Sequence, residues 1–292
     1  MKSALICGKN GNIGGALFKH LTAKNIETFG TTNRVPSDKH TIHLNLADDP
    51  SSWNLSEHPV EVAYLCSGIC RMNLCEQDPT GTHKVNVAGM TALIKQLSDK
   101  GAFIVYLSTN QVFDGLEPFA KENKPHKPKN EYGKQKAAVE RFIQENCSRY
   151  AIVRLTKVVE PNMALIKNWI DLLSERQPLK AFHDMPLAPV SLRQVIETLT
   201  LIGEKQVTGI YHISGSEDVS YFTIASFLAQ KLKSSRYLVQ SISALDANIE
   251  KNFLPQFTSL DCSSTIALGG QTPPDFTTVL EECFTFELEE IS

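Results

Sequence analysis

Between residues 3 and 155 the chain alternates short, nearly unbroken apolar runs with segments of helical periodicity, and this restricts the folds open to it. "SALICG" (3–8), "IETFG" (26–30), "HTIHLNL" (40–46), "VEVAYLCSG" (60–68), "AFIVYLS" (102–108) and "YAIVRL" (150–155) read as six strands. Ile13, Ala16, Leu17 and Leu21 repeat at helical spacing, as do Met90, Leu93, Ile94 and Leu97, and then Val139, Phe142 and Ile143. Strand–helix–strand units cross over right-handedly into a parallel sheet. Strands apolar along both edges suit a sheet covered on both faces. The expectation is an α/β fold with a doubly wound parallel sheet.

After about residue 157 the rhythm changes. Helices are expected over 163–177, 191–203 (closed by Gly203) and 221–233, with one strand at 209–215. We expect residues 1–157 to form the sheet domain. Residues 158–292 would be mainly a smaller, mixed α/β substrate domain, with some segments returning to the sheet. With 42 % apolar residues the chain can fill such cores, and its net charge of −3 gives no reason to expect a nucleic-acid or membrane partner.

"CGKNGNIGG" (7–15) joins the first strand to the first helix, with Gly8, Gly11 and Gly14 spaced G-x-x-G-x-x-G. Glycines permit the tight turn and close approach of backbone to a pyrophosphate, and a helix N-terminus favours the anion. The loop therefore points to a Rossmann-type dinucleotide site built from Gly8, Asn10, Gly11, Asn12, Ile13 and Gly14. No carboxylate stands between residues 28 and 37 to bind a ribose 2′-hydroxyl. Thr31, Thr32 and Arg34 offer instead to hold a 2′-phosphate, which favours NADPH over NADH.

Tyr132 and Lys136, in "NEYGKQKAAVE" (130–140), are one helical turn apart. A nearby cation lowers the pKa of a phenol, so the pair is suited to delivering a proton to an oxygen that gains charge. Upstream, "YLSTNQVFDG" (106–115) ends the fifth strand with Ser108 and Thr109. Ligands of open α/β sheets lie beyond the carboxyl ends of the strands, so Thr109 is expected to face the same crevice and polarise a carbonyl.

The glycine loop, Thr109 and Tyr132-x-x-x-Lys136 resemble the extended short-chain dehydrogenase/reductases. "STNQVFDG" (108–115), "CEQDP" (75–79), "VNVAG" (85–89), "GIYHISG" (209–215) and the segment from 260 to 284 are similar to the dTDP-4-dehydrorhamnose reductase branch. The resemblance implies that Tyr132 is the proton donor, Lys136 the ribose-binding lysine and Thr109 the catalytic hydroxyl. It also implies that Asn86 belongs to the active site and that Asn45, Leu46, Ser67 and Gly68 line the cofactor. The implied substrate is a nucleotide-linked keto-sugar. Lys157 stands where the branch usually has a tryptophan, and "HDMPLAPV" (183–190) replaces its usual turn, which draws the substrate toward something more anionic. The same branch resembles the regulatory subunit of methionine adenosyltransferase, which works by binding a partner. A nucleotide-sugar epimerase or dehydratase with tightly held NAD is a third reading. Homodimer formation is an expectation by analogy.

The remaining conspicuous residues are read as structural. Seven cysteines lack a framework or zinc spacing and suit free thiols in a reducing, cytoplasmic setting. His83, His126, His183 and His212 show no ligand pattern, so no metal is expected. Trp169 lies on an apolar helical stripe and is read as packing, while Lys121, Lys124, Lys127 and Lys129 are read as a solvated loop.

Overall fold

All six apolar runs become strands of one sheet. The computed structural model describes residues 1–36, 38–55, 60–161 and 163–284. In chain order the first strands are β1 (Ser3–Cys7), β2 (Glu27–Thr32), β3 (Thr41–His43), β4 (Val62–Leu65), β5 (Phe103–Thr109) and β6 (Tyr150–Leu155). The short strands β7 (Lys157–Val159), β8 (Leu179–Phe182), β9 (Pro186–Leu187) and β10 (Pro189–Ser191) follow, then β11 (Gly209–Ile213), β12 (Val219–Ser220) and β13 (Val239–Ile242). The helices are α1 (Asn12–Ala23), α2 (Met72–Gln77), α3 (Pro79–His83), α4 (Met90–Asp99), α5 (Glu131–Asn146), α6 (Ala164–Ser174), α7 (Leu192–Lys205), α8 (Tyr221–Lys231), α9 (Ser263–Ala267) and α10 (Phe276–Cys283).

The main sheet has seven parallel strands in the order β11-β6-β5-β4-β1-β2-β3. The order reverses between β1 and β4, and ligands of such sheets bind outside the carboxyl ends at that switch. The glycine loop after β1 and the Ser67–Gly68 turn after β4 therefore face each other there. One face of the sheet packs Leu5, Leu65, Ile104 and Tyr106 against Leu93, Ile94 and Val139, from α4 and α5. The other packs Ile6, Tyr64, Val105 and Val153 against Leu17, Val195 and Leu199, from α1 and α7. Burial on both faces accounts for the unbroken apolar runs.

A separate apolar core gathers Ile166, Trp169 and Leu173 of α6, Ile224 and Leu228 of α8, and Val279 and Leu280 of α10. Trp169 is buried there, edge-on to Tyr221, so it packs rather than stacks on a ligand. Beyond residue 157, α7 and β11 pack with the main sheet. Residues 285–292 of the expected second domain lie outside the described residues. Gly203 does not stop its helix: α7 runs through it to Lys205, and Gln206, left-handed at φ 49°, closes the turn. Leu44–Leu46, expected as strand, follow β3 as irregular backbone along the crevice.

Candidate functional site

Two clefts meet at residues 69 and 70, beyond the carboxyl ends of the central strands. The first, of about 340 Å³, is lined by Gly8, Asn10, Gly11, Thr31, Thr32 and Asn33 on one side. Leu44, Asn45, Leu46, Cys66, Ser67, Gly68, Ile69 and Val85 line the other. Gly8 adopts φ +89°, which a side chain would strain, and its N–H donates to the Thr31 hydroxyl at 3.1 Å. A Cβ on Gly14 would lie 2.3 Å from the Gly8 carbonyl oxygen, so that glycine lets the helix approach the turn. A Cβ on Gly11 meets only that oxygen, at 3.5 Å. The turn is thus a backbone-walled cradle at a helix N-terminus, and no Asp or Glu lines the cleft among the described residues. This fits a dinucleotide with an anionic centre.

Nine of the residues assigned to the cofactor from sequence line this cleft: Gly8, Asn10, Gly11, Thr31, Thr32, Asn45, Leu46, Ser67 and Gly68. Five do not. Gly14 acts in packing, and Ile13 lies against the core. The Asn12 amide donates to Glu160. Arg34 is exposed outside the lining. Asn86 is buried and clamps the loop after β4: its amide oxygen accepts from Ile69 N–H at 2.7 Å, and its amide nitrogen donates to Ile69 O at 3.0 Å and Gln135 Oε1 at 2.8 Å. Lys9, overlooked in the sequence, is held by Asp38 at 3.1 Å and by Thr41. The Trp53 indole donates to Asn45 O at 3.1 Å and supports the cleft from behind.

The second cleft, of about 220 Å³, lies over Tyr132 and Thr109. Cys70, Asn110, Gln111, Lys157, Met185, Leu187, Tyr221, Phe253 and Thr258 are among its other walls; of these Lys157, and Met185 and Leu187 within the 183–190 segment, are marked by the sequence. Residues from 70 to 258 converge here, so no local pattern announces them. The Thr109 hydroxyl accepts from Gln111 N–H at 3.2 Å and donates to Asn110 Oδ1 at 3.3 Å. Asn130 caps α5 by accepting from Gly133 N–H at 2.8 Å, which sets Tyr132 in the first turn. Cys70 adjoins Tyr132 and Lys136; its thiol donates to Gly68 O at 3.6 Å.

Lys136 is buried one turn below Tyr132. Its ammonium donates to Leu107 O at 2.8 Å and lies 4.7 Å from the Tyr106 ring centroid and 5.9 Å from that of Tyr132. Burial holds the ammonium below the usual lysine value. Tyr132 departs from the sequence expectation. Burial, then the Cys70 sulfur, pushes the phenol well above the ordinary tyrosine value. Lys136 spends its charge on a carbonyl and an aromatic face, and desolvation of the phenol outweighs it. The phenol therefore keeps its proton at neutral pH.

Beneath the site lies a buried charge network. Ser108 donates to Glu140, and Arg154 grips the same carboxylate through Nε at 3.1 Å and Nη2 at 2.7 Å. His126 Nε2 is 2.9 Å from Glu140 Oε2. Arg154 Nη1 faces His212 Nε2 at 3.3 Å, and since a guanidinium only donates, that nitrogen accepts and Nδ1 donates to Asp261 O at 2.9 Å. Burial, then Arg154, lowers the His212 pKa to about 4. The partners on Glu140 outweigh its burial and hold it at about 2. Of the lysines read as a solvated loop, Lys121, Lys127 and Lys129 are exposed, while Lys124 is half-buried 3.6 Å from Asp114. Among the described residues no group of three or more His, Cys, Asp or Glu is placed to hold a metal, and no helix is long and apolar enough to cross a membrane.

The chain is similar to known proteins along most of its length. The beta subunit of methionine adenosyltransferase 2 from Mus musculus is 25 % identical, over 99 % of this chain and 89 % of its own. A dTDP-4-dehydrorhamnose reductase of Salmonella typhimurium is 26 % identical over 52 % of this chain and 54 % of its own. Among solved structures, the dTDP-4-dehydrorhamnose reductase of Bacillus anthracis in complex with NADP superposes with a TM-score of 0.84 at 20 % identity, covering 96 % of this chain and 98 % of that one. MoeE5 in complex with UDP-glucuronic acid and NAD superposes at 0.80 with 18 % identity, covering 96 % of each chain. At such identities the superpositions speak for the fold. The family model of the RmlD substrate binding domain, by contrast, matches residues 1–288 continuously, through both clefts and the second core, and the chain belongs to that family.

Proposed function

We propose that the chain is a nicotinamide-dependent reductase of a keto-sugar carried on a nucleotide, with NADPH preferred. The observation that carries this reading is the shared cleft of Thr109 and Tyr132, which adjoins the glycine-walled cleft and has Lys136 one turn below the phenol. The nucleotide would supply hydride to a carbonyl carbon. Tyr132, protonated through neutral pH, donates its proton to the carbonyl oxygen. The Thr109 hydroxyl, already oriented by Gln111 N–H, bonds the same oxygen. Lys136 has N–H bonds beyond the one to Leu107 with which to hold the ribose. Gly8, Gly11, Ser67 and Gly68 offer backbone to the diphosphate, and Thr31 and Thr32 line the cleft with hydroxyls for a 2′-phosphate, with Arg34 exposed outside that lining. Lys157, Met185, Tyr221 and Phe253, all beyond the sixth strand in sequence, would complete the sugar site. The test is to follow NADPH absorbance while nucleotide-linked keto-sugars are screened. Oxidation that is lost in Tyr132→Phe supports the reading, and no oxidation with any of them rejects it.

A second reading has its own observation. The beta subunits of methionine adenosyltransferase match nearly the whole chain, whereas the Salmonella reductase matches half. On that reading the chain binds NADP as a regulatory subunit. Stable co-purification with a methionine adenosyltransferase catalytic subunit, without reductase turnover, would establish it.

A further inference from the structure

We infer that Lys157 makes the cleft over Tyr132 selective for a keto-sugar that bears a carboxylate on the reacting ring. The inference rests on the reductase reading and narrows its substrate class.

Three observations carry it. First, among the described residues Lys157 is the one charged side chain lining this cleft; the other walls are apolar, hydroxyl, amide or thiol groups. Second, its ammonium has no hydrogen-bond or ion-pair partner among the described residues. Glu160 is the acidic group whose field it feels, and Glu160 is engaged by the Asn12 amide. Third, its position is close to the chemistry. Leu155 pairs with Thr109 across β5 and β6, and Lys157 follows two residues later. Two residues span at most about 7 Å, so the ammonium reaches the ring whose carbonyl lies at Thr109 and Tyr132.

The selection works in both directions. Partial withdrawal from water already holds Lys157 below the usual lysine value. A neutral hexose closing the cleft would strip more water from this cation and return only neutral hydroxyl acceptors, which are weaker partners for an ammonium. A ring carboxylate would form a charge-assisted hydrogen bond with it. The rival anion is the diphosphate of the nucleotide, which every nucleotide sugar carries.

The experiment uses the full chain saturated with NADPH and titrated calorimetrically. The probes are glucuronate and glucose, each linked to UDP and to dTDP, and the free nucleotides. The expected result is glucuronate binding about tenfold or more tighter than glucose on whichever nucleotide is accepted. Lys157→Gln abolishes that preference by weakening glucuronate binding while free-nucleotide and NADPH affinities stay unchanged, and Lys157→Arg retains it. Equal binding of the two sugars by the wild type overturns the inference and leaves the reductase reading standing. If Lys157→Gln weakens all nucleotide ligands alike, the lysine holds the diphosphate and the inference fails. Absence of any nucleotide-sugar binding by a protein that binds NADPH overturns the inference and the reductase reading together.

Discussion

Ser108 and Thr109 are consecutive on β5, and their hydroxyls serve opposite sides of it. Ser108 donates into the buried Glu140–Arg154 pair, whereas Thr109 lines the cleft with Tyr132. Alternation along a strand forces the division, so of two adjacent hydroxyls one belongs to the foundation and one to the site. Ser108→Ala should therefore reduce stability, leaving a buried carboxylate short of a donor. Thr109→Val should leave the denaturation midpoint nearly unchanged and reduce turnover. Equal effects of the two variants on turnover would contradict this division.

Tyr132→Phe should retain NADPH affinity, because the phenol is not part of the glycine-walled cleft. Its reductase turnover should fall by about 10²- to 10⁴-fold, the usual contribution of a positioned general acid. Cofactor titration alongside initial rates checks both halves. Undiminished turnover would remove Tyr132 from its assigned role.

The rate of reduction should be level through neutral pH. Burial raises the Tyr132 pKa, so the acid form persists, and burial lowers that of Lys136, so its charge is the first of the two to be lost as pH rises. The profile of kcat/KM should thus descend only on the alkaline side. A descent between about pH 6 and 8, the range of an ordinary histidine, would point to another proton donor.

Gly11→Ala and Gly14→Ala should separate binding from folding. The added methyl at 11 has room against protein and projects at the cradle, so NADPH affinity should drop with little change in stability. At 14 it strikes the Gly8 carbonyl oxygen, and a cost of about 1–3 kcal/mol is expected. Chemical denaturation and cofactor titration of both variants distinguish the cases.

Acid should loosen the Arg154 network in two stages. His212 is held at about 4 against an ordinary 6.5, so the unfolded chain takes up the proton first. Its contribution to stability is complete above about pH 6.5 and is lost as pH falls toward 4, at up to about 1.4 kcal/mol per pH unit. Glu140, held at about 2 against 4.5, loses its contribution as pH falls from about 4.5 toward 2. Urea midpoints that do not move between pH 7 and 5 would contradict the first stage. Glu140→Gln leaves Arg154 buried without its counter-ion and should cost about 3–5 kcal/mol at pH 7.

Part of this network was legible in advance. Tyr132, Lys136 and Glu140 recur every fourth residue of α5, so Glu140 shares their face and could have been read as buried from that spacing. Arg154 and the histidine beyond it could not. Arg154 is fourteen residues away on β6, and His212 comes from the far edge of the sheet. Asn86 was assigned to the site by resemblance, yet its side chain joins the loop after β4 to Gln135 of α5, 49 residues on. The lack of a nearby acid marks Arg34 as a phosphate ligand in sequence, and in the structure it is exposed outside the cleft lining.

The sequence by itself determined the parallel sheet, the glycine turn at its first crossover and the turn-spaced tyrosine and lysine. These follow from hydrophobic period, backbone sterics and spacing within one element, which are local properties of the chain. Tertiary structure decided which hydroxyl faces the cleft, which asparagine is a clamp, and why the phenol keeps its proton. It also isolated Lys157 as the single charge lining that cleft among the described residues. Those outcomes depend on which distant residues share a wall and how much water they exclude, and no neighbourhood along the chain encodes either.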